Sequence, residues 1–159
     1  MTAELRKEIE RWRGHYADLD AAAEALADEL RMGAGDLYGA IAERLRVKHQ
    51  LTIRVLPVDV MPDLLRRTDL HARQLQVSET LDAASRTFAA AYQLGQIEAR
   101  AMVEALVQGA AFADRTGERL YRRYLTSYFA AAVMMLYARF LRACEATGYD
   151  LELLQRRFG

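Results

Sequence analysis

What is scarce in this chain of 159 residues bounds it before any pattern is read. It has one cysteine, Cys144, so no internal disulfide can form, and no CxxC or Cys/His cluster exists to hold structural zinc or an iron–sulfur centre. Its three histidines, His15, His49 and His71, share no helical turn. Net charge is missing as well, because 22 basic residues balance 22 acidic ones. That balance excludes a global field drawing the chain onto nucleic acid or an anionic membrane, so any anion site is local. The longest uncharged run, Tyr124–Ala138, has 15 residues, short of the roughly 20 that cross a bilayer. It reads as a buried helix. The N-terminus, MTAELRKEIERWRG, is charged at helical spacing and lacks a signal peptide's apolar core, so a reducing, cytoplasmic setting is expected. Repeats and low-complexity linkers are absent too.

What is present is mostly helical rhythm. Thr2 can cap a first helix whose Leu5, Ile9, Trp12 and Tyr16 recur at one-face spacing, with Gly14 ending it. A second helix follows from about Asp20, capped by Asp20 or Asp18 and closed at Gly33; a third runs from about Asp36 with Leu37, Ile41 and Leu45 on one side. The period then drops to two in LTIRVL, residues 51–56, the mark of a half-buried strand. Pro57 and Pro62 bracket a loop, and two further strands are expected at roughly 64–68 and 73–78. Asp82 caps a predicted helix over about 83–108, and a second long helix is expected over about 117–145, apolar nearly all round. Gly148 stops it, and Asp150 can cap a short last helix. The expected fold is one α+β domain over residues 1–159, mostly helical. It comprises three N-terminal helices, a small antiparallel sheet of about three strands, two long core helices and a short C-terminal helix.

Three groups of residues carry chemistry. In FAAAYQLGQIEAR, Tyr92, Gln93 and Gln96 stand where an HExxH helix would carry its two histidines and its glutamate. Neutral glutamine is a poor zinc ligand and no general base, so neither a catalytic residue nor a metal ligand is expected there. Tyr92 shares a stripe with Phe88, Gly95 and Met102, the spacing of a core residue, yet two amides beside a tyrosine also suit a polar pocket. In LLRRTDLHARQ, Arg66, Arg67 and Arg73 gather with His71 on one expected hairpin, either as phosphate-binding forks or as a solvated strand edge. In YRRYLTSYFAAAVMMLYARFL, Tyr124 and Tyr128 sit at helical spacing, and Arg139 lies among apolar residues, where it must find an anion or snorkel outward.

The run SRTFAAAYQLGQIEAR, followed by YFAAAVMMLYARFLRACEATGYDLELLQRRFG, resembles the ImmA/IrrE-like domain. With VMPDLLRRTDLHARQLQVSE upstream, the resemblance is to the branch found in bacterial short-chain fatty acyl-CoA-responsive, Xre-type transcriptional regulators, and it covers roughly residues 5–159. Active peptidases of that kind carry HExxH and a glutamate on the next helix, where this chain has Tyr121-Arg122-Arg123-Tyr124-Leu125. The resemblance therefore implies a non-catalytic sensor, with no cofactor in this chain and a short-chain acyl-CoA as effector. Tyr92, Gln93, Gln96, Arg66, Arg67, Tyr124, Tyr128 and Arg139 are the candidate ligand-binding residues. It also implies that the chain is a fragment, contacting DNA only through a head outside it. Two alternatives stand beside this reading: a helical module that forms a homodimer or docks a partner without a small molecule, and a peptidase with an unorthodox metal site.

Overall fold

The computed structural model describes residues 3–33, 35–61 and 65–146. Six helices and three strands occur among them, in the order α1 (Ala3–Arg11), α2 (Ala17–Arg31), α3 (Leu37–His49), β1 (Thr52–Leu56), β2 (Arg66–Asp69), β3 (Gln74–Ser78), α4 (Ala83–Glu98), α5 (Arg100–Ala110) and α6 (Arg115–Ala146). The mostly helical α+β class expected from periodicity is the class observed. Thr2, Pro62 and the expected last helix with its Asp150 cap lie outside the described residues.

Local chemistry sets most boundaries. Asp36, Asp82 and Asp114 each accept a hydrogen bond from a backbone N–H three residues on, at Gly39 (2.8 Å), Ser85 (2.7 Å) and Gly117 (2.8 Å), which satisfies orphan donors of α3, α4 and α6. Gly14 ends the first helical segment at φ +64°, a conformation that costs glycine nothing. α2 differs from expectation. It begins at Ala17 after Tyr16, with no side-chain cap, and Asp18 and Asp20 lie inside its first turn, where their charge favours the positive end of the helix dipole.

The sheet also departs from expectation. Its order is β1-β3-β2, with β2 antiparallel to β3 but β1 parallel to it, so the sheet is mixed rather than antiparallel. Alternation in a sequence reports which face a residue takes and is silent on strand direction. Here β1 and β2 lie on opposite sides of β3, with opposite directions. The tight β2–β3 turn then places Arg73 in the left-handed region at φ 54°.

α6, at 32 residues, is the axis of the molecule. It packs on α2, α4, α5 and α1, while α4 also packs on α3 and on β3. By length and composition α6 could cross a membrane, but its position among four helices is that of a core helix. The faces of α6 are distinct. Toward the N-terminal helices, Tyr16 meets Tyr121 hydroxyl to hydroxyl at 3.1 Å, and the Tyr128 hydroxyl donates to Asp20 Oδ1 at 2.8 Å. Toward α4, Gly95 lets the helices close in, since a Cβ there would lie 2.9 Å from Phe129 Cδ1.

The long helix expected over 83–108 is interrupted at Ala99, whose φ of −102° and ψ of 10° separate α4 from α5. The hydrogen bonds Ala99 N–H to Gly95 and Val103 N–H to Ala99 continue across the break. No glycine or proline marks the spot, which is why periodicity ran through it. Beside it, Arg44 of α3 donates to both oxygens of Glu98 at 2.7 Å and to Glu29 at 2.6 Å, and His49 Nε2 lies 2.9 Å from Glu98.

Replacing Gly95 by alanine is expected to destabilise the fold by about 1–2 kcal/mol. Overpacking against Phe129 costs roughly 1–3 kcal/mol and helix propensity returns up to about 1. Urea unfolding of G95A measures it, and an unchanged midpoint would contradict the close approach. A second expectation concerns acid. Burial pushes the Glu98 carboxyl up, but the bonds from Arg44 and His49 outweigh it and leave its pKa below the ordinary value. A depressed carboxyl contributes stability that is complete above the unfolded pKa of about 4.3 and is lost as pH falls through the lower folded value. Unfolding midpoints measured from pH 7 to pH 3 should therefore fall below about pH 4.5, and less steeply in Arg44→Met.

Candidate functional site

The cleft follows one face of α4 and continues onto α5. Residues at helical spacing, Tyr92 and Gln96 on α4, then Arg100 and Glu104 on α5, form one wall. α6 supplies the other with Arg119, Arg122, Arg123 and Thr126, again at steps of three and four. Together with Gly95 and Val103 they enclose a cavity of about 580 Å³. A smaller cavity of about 270 Å³ shares Tyr92, Gln96 and Arg123 with it and extends toward the sheet, where Arg66, Thr68 and Leu75 border it.

The charge in this cleft is lopsided. Glu104 forms a two-pronged ion pair with Arg122, which holds the Glu104 carboxyl below and the Arg122 guanidinium above their ordinary pKa values. Arg66, Arg100, Arg119 and Arg123 have no salt bridge among the described residues. Arg66 lies instead over the ring of Tyr92, its Cζ 4.0 Å from the centroid, a cation–π contact. Burial lowers its pKa, the Tyr92 oxygen opposes that shift, and the nearby Arg123 adds to it. Glu104 also feels Arg100, so one carboxylate faces five guanidinium groups and the cleft carries an excess of positive charge.

Behind Tyr92, Gln93 is buried and its Oε1 accepts a bond from Thr68 Oγ1 at 2.8 Å, fixing α4 to β2. Arg66 and Thr68 share one face of β2. Arg67 points the other way and donates from Nε to Gln76 Oε1, its partner across the ladder, at 2.5 Å.

The structure thus brings together Tyr92, Gln96 and Arg66 from the predicted set, with Gln93 behind them and Arg67 at the border of the smaller cavity. It does not bring the other three. Tyr124 and Tyr128 lie on the opposite face of α6, packed with Tyr16 at ring separations of 6.3 and 5.1 Å. Arg139 is exposed, about 20 Å along α6 from Thr126, so it snorkels outward. Sequence reasoning missed Arg100, Glu104 and Arg119, and read Arg122 and Arg123 only as the place of a missing acid. The usable signal was the spacing 119, 122, 123, 126, a face of α6 distinct from the tyrosine face at 121, 124 and 128.

A helix-rich α+β domain with a cationic cleft between its two central helices matches a known family. The model of the IrrE N-terminal-like domain, Peptidase_M78, covers residues 46–159, and the chain belongs to that family. Among curated proteins, the HTH-type transcriptional regulator RamB of Mycobacterium tuberculosis is 30% identical over 151 residues, 95% of this chain and 32% of RamB. The HTH-type transcriptional regulator PrpR of the same species is 34% identical over 149 residues, 92% of this chain and 30% of PrpR. A solved structure of a Mycobacterium tuberculosis transcriptional regulator superposes with a TM-score of 0.77 at 29% identity, covering 98% of this chain and 47% of that one. The chain spans about a third of the length of these curated relatives.

Thr68→Val is expected to destabilise the domain by about 1–2 kcal/mol, because it leaves the buried Gln93 oxygen without its donor. Thr68→Ser should stay near the parent. Equal effects of the two substitutions in chemical unfolding would show that the hydroxyl is not what holds α4 to the sheet.

Proposed function

We propose that this chain is the ligand-sensing domain of a bacterial transcriptional regulator that acts in the cytoplasm, and that it binds a short-chain acyl-CoA without catalysis. The observation that carries the reading is the excess of arginine around the cleft: Arg66, Arg119 and Arg123 have no salt bridge among the described residues, and Arg100 and Arg122 share the single carboxylate of Glu104. Phosphate groups match planar guanidinium forks, and a thioester carbonyl can accept from the Tyr92 hydroxyl or the Gln96 amide. The regulator part of the proposal is supported by the names of the relatives and by the family to which the chain belongs. DNA contact is assigned to a part of the regulator outside this chain.

The family name raises the question of zinc, and the residues do not fit it. At the positions of an HExxH helix, Tyr92 is covered by a guanidinium, Gln93 has its oxygen engaged and Gln96 is a neutral amide. The facing arginines would repel a dication. Signalling then follows from differential affinity. Glu104 competes with any phosphate for Arg122, so a bound anion favours arrangements in which α5 has released α6. The break at Ala99 leaves α5 a separate element that can respond.

Calorimetry against acetyl-, propionyl- and longer acyl-CoA esters should give binding heat above an inorganic phosphate control. Arg123→Gln should weaken it at least about tenfold, the loss of one charge-assisted hydrogen bond. Absence of heat for every thioester, or an Arg123→Gln protein that binds as the parent does, would overturn the proposal.

A further inference from the structure

The two cavities at Tyr92 adjoin a third that differs in character. It has a volume of about 360 Å³ and shares Arg66 and Ala89 with the middle cavity. Its walls are Leu65, Leu81, Phe88 and the small residues Ala84 and Ala89. Its one acid, Asp82, has a carboxylate oxygen committed to the Ser85 N–H as the α4 cap. Small side chains on the first turns of α4 open this groove, where larger ones would close it against Leu81. From Ala84 to Gln96 the helix rises about 18 Å, and the three cavities follow one another along it, each sharing lining residues with the next.

Polarity changes in one direction along it. The α5/α6 end is ringed by guanidinium groups, the middle offers the Tyr92 hydroxyl and the Gln96 amide, and the far end beyond Arg66 is apolar. An amphipathic ligand meets this order in a single orientation. We infer that the Leu81–Phe88 groove receives the acyl chain of the ligand, phosphates lying between α5 and α6, and that the groove sets chain-length preference. This inference rests on the acyl-CoA reading and adds the subsite to it. The Arg66–Tyr92 stack separates the polar middle from the groove, and the methylene stem of Arg66 gives the passing chain an apolar surface on one side. A groove of this volume holds more than an acetyl methyl, so affinity rises with each methylene added until the groove is filled.

The test measures dissociation constants of this chain for CoA and for acetyl-, butyryl-, hexanoyl- and octanoyl-CoA, and for free hexanoate. Affinity is expected to rise about two- to fourfold per methylene, the upper figure corresponding to complete burial. Ala84→Phe, at an exposed position that tolerates a larger side chain, should bring the ratio of hexanoyl-CoA to acetyl-CoA affinity close to one. Phe88→Ala, which lengthens the groove, should move the optimum to longer chains. Thioesters that bind with equal affinity whatever their length overturn the inference and leave the parent reading standing, as does an Ala84→Phe protein with the parent's ratio. Hexanoate binding as tightly as hexanoyl-CoA would place the anion at Arg66 and overturn the orientation. If neither CoA nor any thioester binds, the parent reading fails and the inference fails with it.

Discussion

The close approach of α4 and α6 at Gly95 and Phe129 is the constraint on which the cleft depends. With no side chain on Gly95, the aromatic ring of α6 seats directly against the α4 backbone. That contact fixes the rotation of α6, and rotation decides which residues look into the cleft. Thr126, Arg122 and Arg119 follow Phe129 back along one face and arrive opposite Gln96 and Arg100. The other side of α6 is held just as firmly by the tyrosines that join it to α1 and α2, and by the bond from Tyr128 to Asp20. A helix clamped on two sides presents its arginines in a fixed array.

Arginine takes two opposite roles in this molecule. Arg44, between α3 and α4, meets Glu98 and Glu29 at bonding distance, and the network ties three helices together. Arg66 has only an aromatic face, and its burial is left without a compensating carboxylate among the described residues. Burying a charge without an opposite one costs stability, and at Arg66 the negative face of the Tyr92 ring offsets part of that cost.

The sequence made the elements legible because amphipathic helices and a half-buried strand repeat their apolar residues at different periods. Asp36 and Asp82 marked helix starts correctly, since a short acidic side chain before a periodic run has one strong local use. Strand direction was hidden, because it is decided by which neighbour each strand pairs with, a long-range matter on which alternation is silent. The break at Ala99 was hidden too, because alanine is the best helix former and nothing in its neighbourhood announces a change. Of the site, Tyr92, Gln96 and Arg66 could be picked out as polar or charged residues in places that packing alone does not explain. Arg119, Arg122 and Arg123 could not be assigned without the orientation of α6, which a long-range contact settles. The same missing information sent Tyr124 and Tyr128 to the wrong side: on a helix buried nearly all round, apolar spacing does not say which neighbour each face meets.

At 1.5 Å per residue, the 32 residues of α6 make a rod about 48 Å long. The arginines that line the cleft, Arg119, Arg122 and Arg123, lie in its first third, and the remaining two thirds run past it. Such a rod is a lever with a short driven arm. Under the proposed reading, a tilt of about 5° imposed at the cleft would move the far end of the rod by about 3 Å. Chemistry at the scale of one hydrogen bond would thereby become displacement at the scale of a side chain, with no unfolding and no hinge inside the helix itself.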